Sequence, residues 1–205
     1  MDIHEKRSRL IVKTMNRIRE ALKDGVSVEA LNDAKSHLGA LAVQSELFPT
    51  SDFPWPSAKE NNHMYCLYRG EGGDTALYID VLLNGEGSAP HNHGNSWAIV
   101  SGVHGQEKHN LFQRIDGGSG PGRAELKQVG AITISQGESV SMQVEGIHSV
   151  EAVGDEPVMM LHCYGQAFED QTARLEFDCT EGSCAYGTDA TGAISEFLLH
   201  ESALS

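Results

Sequence analysis

Between residues 63 and 178 the sequence breaks into short runs of alternating or β-branched residues separated by glycine-rich turns, and no helix-length pattern interrupts them. The runs fall at 63–69, 75–83, 96–101, 103–113, 123–129, 131–135, 138–144, 148–153, 157–164 and 174–178. Strands this closely spaced leave no room for the crossover helices of a parallel sheet, so the body is an antiparallel sandwich or barrel. The 22 glycines among 205 residues supply the turns, and a 40% hydrophobic content fills one substantial core. The stretch Gly117-Gly118-Ser119-Gly120-Pro121-Gly122 has the look of a phosphate loop. It lacks the Lys-Ser/Thr and the helix such a loop opens, and reads as a hairpin connection.

Ahead of this body, residues 5 to 24 place Leu10, Ile11, Met15, Ile18, Ala21 and Leu22 at helical spacing, closed by Asp24-Gly25. Ser27 caps a second helix running to about residue 46, with Leu31, Ala34, Leu38, Leu41 and Ala42 on its buried side. Pro49, Pro54 and Pro56 then end helical structure. The expected organisation is a helical extension over 1–50, a barrel over 51–180 and a tail over 181–205. The tail from Ile194 to Leu204 is expected to form a short helix against the barrel or a neighbouring subunit, which leaves a homo-oligomer open.

A formal charge of −14 repels a phosphate backbone and an anionic membrane face. The first 24 residues run against this balance, with seven Lys and Arg against four Asp and Glu, but Lys6, Arg9, Lys13 and Arg17 read as a solvated helix face leaning on an acidic body. No nucleic acid and no membrane is expected as a partner. The opening MDIHEKRSRL is charged where a leader would turn apolar, so the expectation is a cytoplasmic location. Cys66, Cys163, Cys179 and Cys184 form no CxxC pair and are expected to be reduced, with a Cys179–Cys184 bridge the alternative.

The chemistry-bearing segment runs from Gly85 to Gly105. His91 and His93 stand two residues apart on extended chain, so their side chains share a face about 7 Å apart along the backbone, suited to one ion. Gly85, His91, His93 and Gly105 fall on the first motif of the cupin superfamily, G-x5-H-x-H-x4-E-x6-G, with Ala98 at the glutamate position. Gly137 and His148 fall on the second, G-x5-P-x-G-x2-H-x3-N, with Gln143, Glu145 and Ala152 in place of its proline, glycine and asparagine. The resemblance implies a mainly β, double-stranded β-helix of jelly-roll type carrying two N-terminal α-helices. The loss of the glutamate leaves three neutral imidazoles, His91, His93 and His148, which suit Fe(II), Zn or another divalent ion such as Ni with coordination positions to spare.

A narrower likeness covers residues 63 to 168. Pro90-His91-Asn92-His93-Gly94-Asn95-Ser96-Trp97, the run from His104 to Phe112, Gly146-Ile147-His148 and Leu161-His162-Cys163-Tyr164 are similar in order and spacing to the cysteine dioxygenase-like thiol dioxygenases. The resemblance implies that His91, His93 and His148 hold Fe(II), that the substrates are a small thiol carboxylate and O2, and that the product is a sulfinic acid. It places Arg69, in Leu67-Tyr68-Arg69, at the substrate carboxylate, and makes Tyr164 the active-site acid or oxygen positioner with His162 as its hydrogen-bonded support. Animal members have a cysteine cross-linked to the tyrosine where this chain has Ala98, so Tyr164 is expected to be unmodified. The serine that bonds the supporting histidine is replaced by Met160.

Two other readings stay open on the residues alone: a three-histidine cupin cleaving a diketone or other chelating carbon acid, and a non-catalytic metal- or ligand-binding barrel. His104 and His109 compete with His148 for the third ligand place, and His63 is a candidate for the pocket mouth.

Overall fold

The computed structural model describes residues 2–60, 62–187, 194–197 and 199. Helix α1 (Ile3–Ala21) starts where the Asp2 side chain accepts a hydrogen bond from the His4 N–H, and buries Ile11, Met15 and Ile18. Helix α2 (Val28–Ala42) starts where Ser27 Oγ accepts from the Ala30 N–H, and buries Leu31, Ala34, Leu38, Leu41 and Ala42. It stops at Ala42, short of the expected residue 46, and a single 3-10 turn at Ser45–Leu47 leads to Pro49.

The strands are β1 (Asn62–Arg69), β2 (Ala76–Leu82), β3 (Gly87–His91), β4 (Ala98–His104), β5 (Gln106–Arg114), β6 (Gly122–Arg123), β7 (Leu126–Ile134), β8 (Ser139–Met142), β9 (Ile147–Val153), β10 (Val158–Tyr164), β11 (Leu175–Asp178), β12 (Ser183–Tyr186) and β13 (Ile194–Glu196). Among the described residues they build two sheets, ordered β13-β1-β2-β10-β4-β8 and β6-β12-β11-β3-β9-β5-β7. Every strand pair is antiparallel except β1 with β13. The fold is a mainly β, double-stranded β-helix of jelly-roll type, with two N-terminal helices laid on one sheet. Gly105 and Gly137, one from each motif, sit at φ +71° and +79° in the turns after β4 and before β8, where a side chain would be strained.

Strands β2 and β10 are buried on both faces, which is why they read as continuous apolar runs. Leu77, Ile79 and Val81 with Met159, Leu161 and Cys163 point outward into one core with Ile11, Met15, Ile18 and Leu38 of the helices. Ala76, Tyr78 and Leu82 with Val158, Met160 and Tyr164 point inward into a second core inside the barrel. The helices thus press on the back of the strands that line the interior.

Three expectations change. The segments 123–129 and 131–135 join into the single strand β7, with Gly130 inside it. Ser183–Tyr186 is a strand against β11 rather than tail, and Ile194–Glu196 is a strand beside β1 rather than helix. The rest of the expected tail helix lies outside the described residues. Of the cations in the first 24 residues, Lys6 pairs with Glu46, Arg9 with Glu5, Arg19 with Asp74 and Lys23 with Glu20, while Arg7 is fully buried against Asp52. No described helix is long and apolar enough to cross a membrane.

Candidate metal centre

His91 ends β3, and His148 is its direct partner across the β3–β9 ladder. His93 lies two residues past His91 in extended chain, beyond the strand proper. It is pinned there because Asn92 N–H donates to the Leu175 carbonyl and Asn92 Oδ1 accepts from Leu175 N–H. The three rings converge, with centroids 5.2 Å apart for His91–His93, 4.6 Å for His91–His148 and 5.0 Å for His93–His148. One nitrogen from each lies within 4.8 Å of the others, and all three side chains are buried.

The hydrogen bonds decide which nitrogens are free. His91 Nδ1–H donates to the Ala89 carbonyl at 2.9 Å, which leaves the Nε2 lone pair unengaged. His148 Nε2 faces His93 Nε2 at 3.4 Å. Burial, helped by the charge of Arg174, pushes His91 down to about 3, and burial beside His91 holds His93 and His148 well below the ordinary histidine range. The rings are therefore neutral at pH 7, the state a metal requires. Three buried, neutral imidazoles, each with a nitrogen within 4.8 Å of the others, fit a divalent ion.

His162 and Tyr164 stand on the inner face of β10, joined by a 3.0 Å hydrogen bond between His162 Nδ1 and the Tyr164 hydroxyl. The Tyr164 ring lies 5.2 Å from His93, and burial raises its hydroxyl above the ordinary tyrosine range. Ala98 is the direct partner of Tyr164 across the β10–β4 ladder, so the residue opposite the tyrosine is a methyl group with nothing to cross-link. Burial lowers His162 to about 4, and its Nε2 is buried without a hydrogen-bond partner.

Arg69 is not brought to this cluster. It ends β1 with its side chain 40% exposed, donates to Asp170 at 2.7 Å and stands 3.7 Å from Glu169. Two carboxylates at the rim satisfy its fork, which removes the reason to turn inward. The cation beside the histidines is Arg174, which the sequence reading missed. The β11–β3 register pairs Glu176 with His91, and carrying it two residues further sets Arg174 opposite His93. The Arg174 side chain is 11% exposed, lies over the Phe168 ring and stands 3.4 Å from Glu176. Its Nε is buried with no partner.

The rival ligands separate cleanly. His104 is half exposed beside Glu156, and His63 pairs with Glu60. His109 is fully buried but sits behind His148, its Nδ1 3.1 Å from His148 Nδ1. Met160 packs inside the barrel opposite Asp80, and no serine stands beside His162 on that strand. No disulfide joins any of the four cysteines; Cys179 is exposed and Cys184 buried.

No protein-family model matches the chain, and no curated protein matches it. Solved structures that resemble it include an oxalate oxidase in complex with the substrate analogue glycolate, at TM-score 0.44 and 15% identity over 62% of this chain and 61% of that one. KdgF from Halomonas sp. gives 0.42 and 13% over 58% and 94%, and the DMSP lyase DddQ from Ruegeria pomeroyi DSS-3 gives 0.40 and 18% over 58% and 54%. The chain thus spans about three fifths of the oxalate oxidase chain it matches. Likenesses this distant say nothing about chemistry.

Proposed function

We propose that the chain is an Fe(II)-dependent thiol dioxygenase, converting a small thiol carboxylate of the cysteine or 3-mercaptopropionate type and O2 into the sulfinate and a proton. The observation that carries this reading is the convergence, at one buried point, of three neutral imidazoles without a carboxylate ligand, with the charge of a largely buried arginine, whose Nε is unengaged, acting on two of them. The ion, held by His91, His93 and His148, would supply a coordination sphere in which thiolate and O2 meet. Both oxygen atoms end on the sulfur, which gives up the four electrons that O2 takes.

The residues of the chain divide the remaining work. Arg174 offers a planar, half-free fork to the carboxylate and so fixes the position of the thiol relative to the histidines. Tyr164 keeps its proton at neutral pH, because burial disfavours the phenolate. When His162 carries its proton on Nδ1, that N–H donates to the Tyr164 oxygen and leaves the phenolic proton free for a ligand oxygen or sulfur. Val100, Met160 and Tyr78 close the interior with apolar surface and exclude water.

The test is oxygen uptake by protein loaded anaerobically with Fe(II) and offered cysteine, 3-mercaptopropionate and a panel of diketones. One O2 consumed per sulfinate formed is the expected result. Uptake with diketones alone, or none with any thiol while iron stays bound, refutes the reading.

A further inference from the structure

The inner face of β5 carries two fully buried polar side chains, Glu107 and His109. His109 Nε2 lies 2.9 Å from Glu107 Oε1, and His109 Nδ1 lies 3.1 Å from His148 Nδ1. The His109 and His148 rings are stacked, 6° from parallel with centroids 5.3 Å apart. Carboxylate, imidazole and candidate ligand therefore form one continuous row. A buried anion without full pairing is destabilising. Both oxygens of Glu107 lack a well-formed hydrogen bond, and Asp80 Oδ1, also buried, lacks a partner as well. Two acids in one interior do not stabilise a fold, so their placement asks for another reason.

Proton positions supply one. If His148 binds metal through Nε2, the atom facing His93, its proton must sit on Nδ1. That N–H has one acceptor in reach, Nδ1 of His109. His109 must then carry its own proton on Nε2, 2.9 Å from Glu107 Oε1, a charge contact without a well-formed hydrogen bond on either atom. Each tautomer in the row dictates the next, and the row ends on the carboxylate.

We propose that Glu107 and His109 are positioning residues that lock His148 in its Nδ1–H tautomer and pass the carboxylate's negative charge through His109 to the ligand. This rests on the reading of His148 as a metal ligand. Ala98 leaves the ion without a carboxylate in contact, and Glu107 returns that charge at a remove of two imidazoles. His109, a rival for the third ligand place in the sequence, acts on the ion only through His148.

The experiment titrates the metal-free protein with Co(II) against a competing chelator, reading affinity and the visible d–d bands, with thermal unfolding of the metal-free chain alongside. Glu107→Gln is expected to weaken Co(II) binding about 10- to 100-fold and to shift the bands, without lowering the metal-free unfolding midpoint, since a buried charge has been removed. A merely structural Glu107 gives the reverse pattern, a lowered midpoint with unchanged affinity. Glu107→Asp, which keeps the charge but draws it back, is expected to fall between wild type and Glu107→Gln. Affinity within threefold of wild type and unaltered bands in Glu107→Gln overturn the proposal, and so does a Glu107→Gln chain that no longer folds. His148→Ala separates the two layers of argument. If it binds Co(II) like wild type, the metal reading fails. If it loses Co(II) while Glu107→Gln does not, only the row behind it fails.

Discussion

Replacing Arg174 by Gln removes the guanidinium charge that acts on both His91 and His93 while leaving a side chain that reaches partway along the same path. The guanidinium is 11% exposed and its Nε is unengaged, so a substrate carboxylate pairing with it sits in a partly desolvated place where charge-assisted hydrogen bonds are strong. Such bonds contribute about 1.5–3 kcal/mol, which corresponds to a rise of about 10- to 150-fold in KM for a thiol carboxylate. A neutral thiol of similar size never makes the pair, and its kinetics should change by less than about threefold. Arg69→Gln is the matched control, because its fork is already held by Asp170 at the rim and a wild-type KM is expected. Steady-state oxygen consumption with the carboxylate and neutral thiols on both variants decides the matter. An unchanged KM in Arg174→Gln, or the loss appearing in Arg69→Gln instead, refutes the assignment.

Tyr164→Phe removes the hydroxyl bonded to His162, and kcat should fall at least about tenfold with KM nearly unchanged; a wild-type kcat would discard Tyr164 as a participant. Gly102→Ala directs a Cβ into the backbone carbonyl of Ser135, which should cost about 3 kcal/mol, or roughly 6–12 °C in Tm by calorimetry. In the metal-free chain His91 titrates at about 3 and His162 at about 4 against an ordinary 6.5. Below pH 6.5 the unfolded chain therefore takes up protons that the folded one refuses, and each ring costs about 1.4 kcal/mol of stability per pH unit as pH falls towards 4. Asp80, raised to about 7 from 3.8 by burial and by Glu107, runs the other way over the same window and offsets one ring. His93 and His148 share the sign of His91, so the urea midpoint should drop between pH 6.5 and 4; a flat or rising profile contradicts the neutral, buried cluster.

The histidine trio was legible in the sequence because its information is local: two histidines two residues apart, fixed in register by turn glycines whose positive φ admits few other residues. The double burial of β2 and β10 was equally local, written as unbroken apolar runs. Arg174 was hidden because its place depends on which residue it faces across a ladder to a strand more than 80 positions earlier. Glu107 was hidden, and His109 was weighed as a ligand rather than as a neighbour of one, for a different reason. Alternation puts them on one face of β5, but Lys108 and Asn110 on the other face are polar too, so no hydrophobic contrast says which face is inside. The ion pair of Arg69 was hidden as well, because Asp170, which engages it, lies 101 residues away.

The shared core between helices and barrel sets an order of events on the ribosome. α1 and α2 are synthesised first, yet the sheet surface that receives them is complete only when β10 emerges, with Val158 coming 116 positions after Ala42. At about 5–20 residues per second the apolar stripes of the two helices wait roughly 6 to 23 s for their seat. During that interval each helix has little but the other to lean on, so substitutions that weaken the helix–helix contact should show first as loss of yield in the cell rather than as loss of activity in the purified protein.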